Sequence, residues 1–339
     1  MTDVARGRIL VTGAGGFLGS HLLPKLPGAL VLVRTRERGE SIGHLGGCNE
    51  TIPIVGDIQD PSPWRPAVEG VTTIVHMAAL VRHSRRGADE VYRTNLEGTL
   101  AMVRLASQLG ARLVFVSTSG TVGCFSSCDE AADEGAPYCR ETIKRWPYYD
   151  SKMQAEIQAR ALARALGVEL VIVRLPVLLG PGDHVGRSTD LVRRIITGRQ
   201  RFLMKGGIAF TDVRDVAAGL LAIMTAHSPR VVYHLPGTSC SLSQFFLQCA
   251  ELSDAELPRT FLPAMVARPA ARLAAVAAKL MGSPSLLPDP VVVEMASHYW
   301  GFRSRWADEL GFIARPPAET LRDTIAWLRS SHVGGAHAS

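Results

Sequence analysis

Residues 8–19 read Arg-Ile-Leu-Val-Thr-Gly-Ala-Gly-Gly-Phe-Leu-Gly. Arg8 to Thr12 is an apolar run of the length of one buried strand, and Phe17 to Lys25 has the spacing of a helix. Between them Gly13, Gly15 and Gly16 form a turn in which side chains would be in the way. Gly19 lies one turn into the helix, where a missing side chain lets the helix lie close on the strands. Such a turn aims backbone N–H groups, at the positive end of a helix, toward an anion. Flanked by strand and helix, this GxxGxxG pattern marks a dinucleotide pyrophosphate site, with Phe17 and Leu18 inside the same stretch.

Outward from that turn the chain alternates short apolar runs with helical stretches. Leu30 to Val33, Thr51 to Val55, Thr73 to His76, Leu113 to Ser117 and Glu169 to Arg174 read as strands. Glu90 to Leu109 and a long stretch from Tyr148 through Ala165 read as helices between them. Near-continuous apolar strands separated by helices are the pattern of a parallel sheet covered on both faces. The expected fold is therefore α/β, a doubly wound Rossmann sheet with a smaller, mostly helical C-terminal substrate domain. The expected division is 1–175 for the dinucleotide domain, with 208–235 returning to it, 176–207 and 236–330 for the substrate domain, and a frayed tail at 331–339. After Arg174, Asp190 to Ile196, Val213 to Thr225 and Glu319 to Arg329 read as helices, and Arg230 to Leu235 as a strand. Pro284 to Pro290 reads as a proline-punctuated loop.

The end of the second strand selects the dinucleotide. An acidic residue there binds a ribose hydroxyl, whereas an arginine pairs with a 2′-phosphate. The sequence reads Leu30-Val-Leu-Val-Arg34-Thr-Arg36-Glu37. Arg34 holds the deciding position, so NADP is the expected cofactor and NAD the second choice. Two solvated surface arginines are the plainer reading, and Glu37 argues in its favour.

Tyr148-Tyr-Asp-Ser-Lys152 opens the long helix after Pro147. Positions i and i+4 share a helical face, so Tyr148 and Lys152 point the same way and Tyr149 does not. A free phenol, with a pKa near 10, exchanges protons poorly at neutral pH. A neighbouring ammonium is expected to lower that value and make Tyr148 a proton donor and acceptor. A third group belongs at the C-terminal end of the preceding strand, where the chain reads Ser117-Thr118-Ser119-Gly-Thr121. One of these hydroxyls can steady a developing oxyanion, and the residues alone do not choose among the four.

Across nearly its whole length the chain resembles the extended and atypical short-chain dehydrogenase/reductases, within the NAD-dependent epimerase/dehydratase superfamily. The matching pieces are VTGAGGFLG at 11–19, GDIQD at 56–60, VHMAAL at 75–80, NLEGT at 95–99, FVSTSGTVG at 115–123, PYYDSKMQAE at 147–156, RLPVLLGPGD at 174–183 and FTDVRDVAAG at 210–219. The look is that of bacterial 3β-hydroxysteroid dehydrogenase and dihydroflavonol reductase-like proteins. The resemblance implies that Thr118 is the catalytic hydroxyl, with Ser119 the runner-up. It further implies that Asp57 and Ile58 bracket the adenine, and that Ala78 and Ala79 line the dinucleotide path. Asn95 is implied to brace the active site among the cofactor residues, and Pro176 and Leu178 to flank the nicotinamide. Each of these also has a plain turn or core role open to it.

The 339 residues carry a net charge of +6, with 47% hydrophobic and 20% charged residues, which is the composition of a globular protein. The basic residues are scattered, so no nucleic-acid partner is expected. Cysteines at 48, 124, 128, 139, 240 and 249 form no CxxC and no metal spacing. Reduced thiols, no metal and a cytoplasmic setting follow as expectations, with neither a signal peptide nor a membrane span read from the chain. Phe261 to Met281 is mostly apolar, and aromatic residues recur at Tyr299, Trp300 and Phe302. These read as core, as a lid over a hydrophobic substrate, or as a peripheral contact with a membrane.

The function expected is an NADP(H)-dependent oxidoreductase that moves a hydride to or from the hydroxyl or ketone carbon of a hydrophobic small molecule, such as a steroid, polyphenol-like or lipid β-keto compound. A nucleotide-sugar epimerase or dehydratase with tightly held NAD is the alternative, and a dinucleotide sensor without turnover the third reading. A homodimer through paired helices is compatible with all three.

Overall fold

The computed structural model describes residues 7–43, 50–258, 260–281 and 288–334. Its centre is one sheet of seven parallel strands: β1 (Arg8–Thr12), β2 (Leu30–Val33), β3 (Ile52–Val55), β4 (Val71–His76), β5 (Arg112–Thr118), β6 (Leu170–Leu175) and β7 (Val232–His234). Their spatial order is β7-β6-β5-β4-β1-β2-β3. Every residue of β2 and β6 is buried, as a strand covered on both faces must be, whereas β3 at the sheet edge is largely exposed. One apolar layer joins the sheet to helices Phe17–Leu22 and Val213–Thr225, and the opposite layer joins it to Gly98–Leu109 and Pro147–Leu166. The fold is a doubly wound α/β sheet.

The strand order reverses between β1 and β4, and their carboxyl ends open a crevice there. The Met77 amide donates to the Thr12 carbonyl at 3.1 Å, so the segment leaving β4 runs beside the glycine turn. Buried beneath it, the His76 ring lies between the Thr12 and Thr99 hydroxyls at 2.7 and 3.2 Å and stacks on Phe115.

The stretch read as one helix over Glu90–Leu109 is three pieces: Ala88–Tyr92, a wider π turn at Arg93–Glu97, and Gly98–Leu109. The wide turn carries Asn95, whose side chain is fully spent on neighbouring elements. Its Oδ1 accepts from the Leu80 amide at 2.7 Å, and its Nδ2 donates to the Leu80 carbonyl and to Ser151 Oγ.

A smaller sheet of Val177–Leu179, Gly207–Asp212 and Thr238–Ser241 is backed by helices Asp190–Ile196, Leu242–Glu251 and Pro317–Gly334 around an apolar core of its own. The last helix runs to Gly334, beyond Arg329 and into the stretch expected to fray; residues 335–339 lie outside the described residues. Helix Ala264–Met281 includes Pro269, and most of the proline-punctuated loop at 284–290 is outside the described residues. Of the three readings open for Phe302, core, lid or membrane contact, the structure shows core: it is buried and stacks on the buried His234 ring at 4.1 Å.

Candidate active site

The glycine turn is built by contact and conformation. Gly13 has φ +74°, and a Cβ there would lie 2.5 Å from the Ala78 amide nitrogen. At Gly19 a Cβ would lie 2.0 Å from the Ala14 carbonyl, so the first helix can rest on the turn only with glycine. Gly16 is the exposed N-cap of that helix and places no side chain over its free amides. Leu18 is buried and Phe17 packs on the core, so both face away and leave only backbone to the crevice. A concave, side-chain-free surface at a helix start fits a pyrophosphate.

Ala78 and Ala79 lie half-buried at the exit of β4, the Ala78 amide donating to Thr12 Oγ1 at 3.3 Å. Asp57 is exposed just past β3, and its Oδ1 accepts from the Gln59 amide at 2.9 Å in an Asx turn. Ile58 packs into the apolar layer below. Pro176 is buried and Leu178 half-buried in the segment leaving β6. Arg34 stands exposed at the end of β2, with Arg36 and Arg38 on the helix that follows. Arg38, which the sequence reading passed over, turns back so that its Nη2 lies 3.5 Å from the Gly15 carbonyl.

Four hydroxyls end β5, and the structure separates them. Ser117 Oγ donates to the Glu156 carboxylate at 2.5 Å, and Thr121 Oγ1 donates to it at 3.2 Å. Ser119 is buried, its carbonyl accepting from the Val122 and Gly123 amides. The Thr118 hydroxyl, which accepts from the Gly120 amide at 3.2 Å, is the polar group that acts on the Tyr148 phenol. Burial pushes that phenol up to about 12, with the Thr118 hydroxyl opposing. Lys152, one turn on and buried, sends its Nζ to the Val116 carbonyl at 2.7 Å and lies over the Phe115 ring. Burial brings its ammonium down to about 7, and the negative charge of Glu156 resists the fall. The lowering of the phenol expected from Lys152 is therefore absent from this structure: its charge is directed at a strand carbonyl, and burial governs the phenol.

Glu156 was not singled out by the sequence reading, although the i+4 spacing of 148, 152 and 156 puts it on the same face. It is wholly buried and pairs with the buried Arg174 at 2.6 Å, while Tyr138 donates to it at 3.1 Å. Aromatic side chains cluster beside Tyr148: Trp300 lies 5.2 Å from the Tyr149 ring, and the buried Trp146 lies 6.2 Å from that ring and 6.1 Å from Trp300. The His83 ring meets Tyr148 edge-on at 5.4 Å, and its buried Nδ1 has no partner among the described residues. No group of three or more His, Cys, Asp or Glu among the described residues could hold a metal ion.

Residues 9–235 match the NAD dependent epimerase/dehydratase family. The chain belongs to that family. Among curated relatives of this epimerase/dehydratase chain, sterol demethylase protein B of Methylococcus capsulatus is 27% identical over 94% of this chain and 98% of its own length. Dihydroflavonol 4-reductase of Zea mays is 31% identical over 57% of this chain and 59% of that protein. Among solved structures, gox2253 superposes with a TM-score of 0.80 at 25% identity, covering 96% of this chain and 99% of that one. The dTDP-glucose 4,6-dehydratase DesIV from Streptomyces venezuelae, solved with NAD bound, gives a TM-score of 0.73 at 22% identity over 96% of this chain and 98% of its own, a likeness of fold. Relatives of this family member thus include reductases, dehydrogenases and dehydratases, and this chain is an oxidoreductase enzyme of the NAD(P)-dependent type.

Proposed function

We propose that the protein is an NADP(H)-dependent reductase or dehydrogenase acting on the hydroxyl or ketone carbon of a hydrophobic small molecule. The placing of the Thr118 hydroxyl where it acts on the Tyr148 phenol carries this reading, because Ser117 donates to Glu156 and Thr121 is held by the Thr118 carbonyl and Glu156. Bound nicotinamide would supply or accept the hydride. In the reductive direction Tyr148, protonated at neutral pH, gives its proton to the substrate oxygen. Thr118 donates a hydrogen bond to that oxygen, and Lys152, bound to the Val116 carbonyl, ties the helix that carries Tyr148 to the strand that ends in Thr118. Gly13, Gly15 and Gly16 would hold the pyrophosphate, with Gly19 letting the helix lie close to the turn, and Arg34 with Arg38 would hold the 2′-phosphate. Tyr149, Trp146 and Trp300 favour an apolar, ring-containing substrate.

The thiols of Cys124, Cys128, Cys139, Cys240 and Cys249 are free, which fits a reducing, cytoplasmic setting; Cys48 lies outside the described residues. The test is direct. Purified protein is mixed with NADPH or NADH and either a 3-ketosteroid or a dihydroflavonol, and oxidation of the reduced nicotinamide is followed. Ketone-dependent oxidation that prefers NADPH supports the proposal. Absence of turnover with both ketones, together with conversion of UDP-glucose without net nicotinamide change, replaces it with sugar-nucleotide chemistry.

A further inference from the structure

Helix Ala264–Met281 has two unlike faces. Ala267, Ala271 and Ala278 are buried, and the first two pack with Val293 and Met204. On this inner side Arg268 donates to Ser297 Oγ at 2.5 Å, and Arg272 to Glu294 Oε1 at 2.9 Å. The outer side is long, apolar and open to solvent. Met265 is 83% exposed, Leu273 72% and Leu280 82%, with Val266, Val276 and Met281 also exposed and Phe261 exposed just ahead of the helix. Positions 266, 273, 276 and 280 recur at helical spacing, so these side chains form a stripe and not a scatter.

The charge around the stripe has one sign. From Leu257 to Pro288 there is no Asp or Glu, while Arg259, Arg268, Arg272 and Lys279 fall within the same stretch. We propose that this helix lies on an anionic lipid surface, its apolar stripe entering the headgroup boundary and the 64% exposed Arg272 side chain lying at the rim of the contact, where lipid phosphates would be. An amphipathic helix with basic residues beside large apolar ones is the physical form of such a contact. Its 18 residues span about 27 Å, enough to lie along a surface. No helix among the described residues is long and apolar enough to cross a membrane, so the contact is peripheral. A second copy is a poorer occupant. A two-fold pairing through this face would bring the same stretch, basic and without Asp or Glu of its own from 257 to 288, against itself.

The inner side of the helix reaches the candidate site. Glu294, which receives Arg272, also accepts from Arg85 at 2.7 Å and from the Trp146 indole at 3.2 Å. A surface-bound helix is thereby tied to the aromatic cluster beside Tyr148. The docking itself does not depend on the catalytic reading, because its test needs no turnover.

The full chain is sedimented with phosphatidylcholine vesicles, with and without phosphatidylglycerol, and compared with the Leu273→Glu/Leu280→Glu double variant. NADPH binding and the thermal midpoint of the variant verify its fold. The expected result is preferential binding to the phosphatidylglycerol vesicles, weakened by salt, and a loss of at least about tenfold in the variant. Wild-type protein that stays in solution with both vesicles overturns the proposal. So does equal binding to both vesicle types, or a variant that binds like wild type. A wild-type dimer that the variant splits assigns the face to self-association instead.

Discussion

Lys152 holds the carbonyl of Val116 at 2.7 Å, joining the helix that carries Tyr148 to the strand that ends in Thr118. Burial brings the Lys152 ammonium down to about 7, so it is charged in acid and loses its proton as pH rises through neutrality. The charged form is the one that attracts an anionic dinucleotide. NADPH affinity, read by fluorescence titration, should therefore weaken from about pH 6 to about pH 8. Lys152→Met should bind more weakly in acid and lose that pH dependence. An unchanged profile in the variant assigns the titration to another group.

Cofactor choice rests on Arg34 and Arg38. Arg34→Asp removes a charge-assisted contact and adds repulsion, so NADPH binding should weaken more than about tenfold while NADH binding holds or improves. Arg38→Ala should act in the same direction and less strongly, because a neutral side chain repels nothing. Equal losses for both dinucleotides in Arg34→Asp would sink the NADP assignment.

The hydroxyl at the end of β5 is tested by a pair of variants. Thr118→Ala should lower turnover by roughly a hundredfold, the scale of one lost oxyanion donor, with NADPH affinity nearly unchanged. Ser119→Ala should change little. The reverse order would move the catalytic hydroxyl by one residue and contradict the Thr118–Tyr148 contact as the working arrangement.

Acid stability follows from His76. Burial holds its imidazole down to about 3, with the nearby Lys152 charge acting the same way, against 6.5 for a free histidine. Between those values the unfolded chain binds a proton that the folded protein refuses, so stability is full above about pH 6.5 and falls on acidification, by up to about 1.4 kcal/mol per pH unit. His234, held down to about 4 by burial and then by Arg174, adds to the slope. The thermal midpoint should drop below about pH 6, and His76→Gln should drop less steeply because its side chain gains no proton. Equal slopes would contradict this account of acid sensitivity.

Much of the fold was legible because its signals are local. The glycine turn between Thr12 and Phe17 and the apolar runs of the inner strands are set by sterics and burial over a few residues. The π turn at Arg93–Glu97 was not, since one extra residue barely alters helical periodicity and its cause is the distant pairing of Asn95 with Leu80 and Ser151. In the site, the shared face of Tyr148 and Lys152 followed from i+4 spacing, but the direction of the Lys152 ammonium did not, because the Val116 carbonyl lies on another element. The same holds for Arg38, which reaches Gly15 across the crevice, and for Glu156, whose partners come from four places in the chain. Composition made Phe261–Met281 apolar but could not say which side chains face water. In the structure alanines face in and the larger residues face out.

The central claim is that Tyr148, and not its neighbour Tyr149, exchanges the proton. Tyr149 packs in one cluster with Trp300, tilted at 5.2 Å, and Trp146, edge-on at 6.2 Å, while the Tyr148 phenol is acted on by Thr118. The decisive measurement is the single-turnover rate of hydride transfer from NADPH to a ketone substrate in Tyr148→Phe and in Tyr149→Phe. Tyr148→Phe should bind NADPH normally and lose about 10²- to 10⁴-fold in rate, while Tyr149→Phe stays within a few fold of wild type. A Tyr148→Phe protein that keeps its rate while Tyr149→Phe loses it would contradict the account.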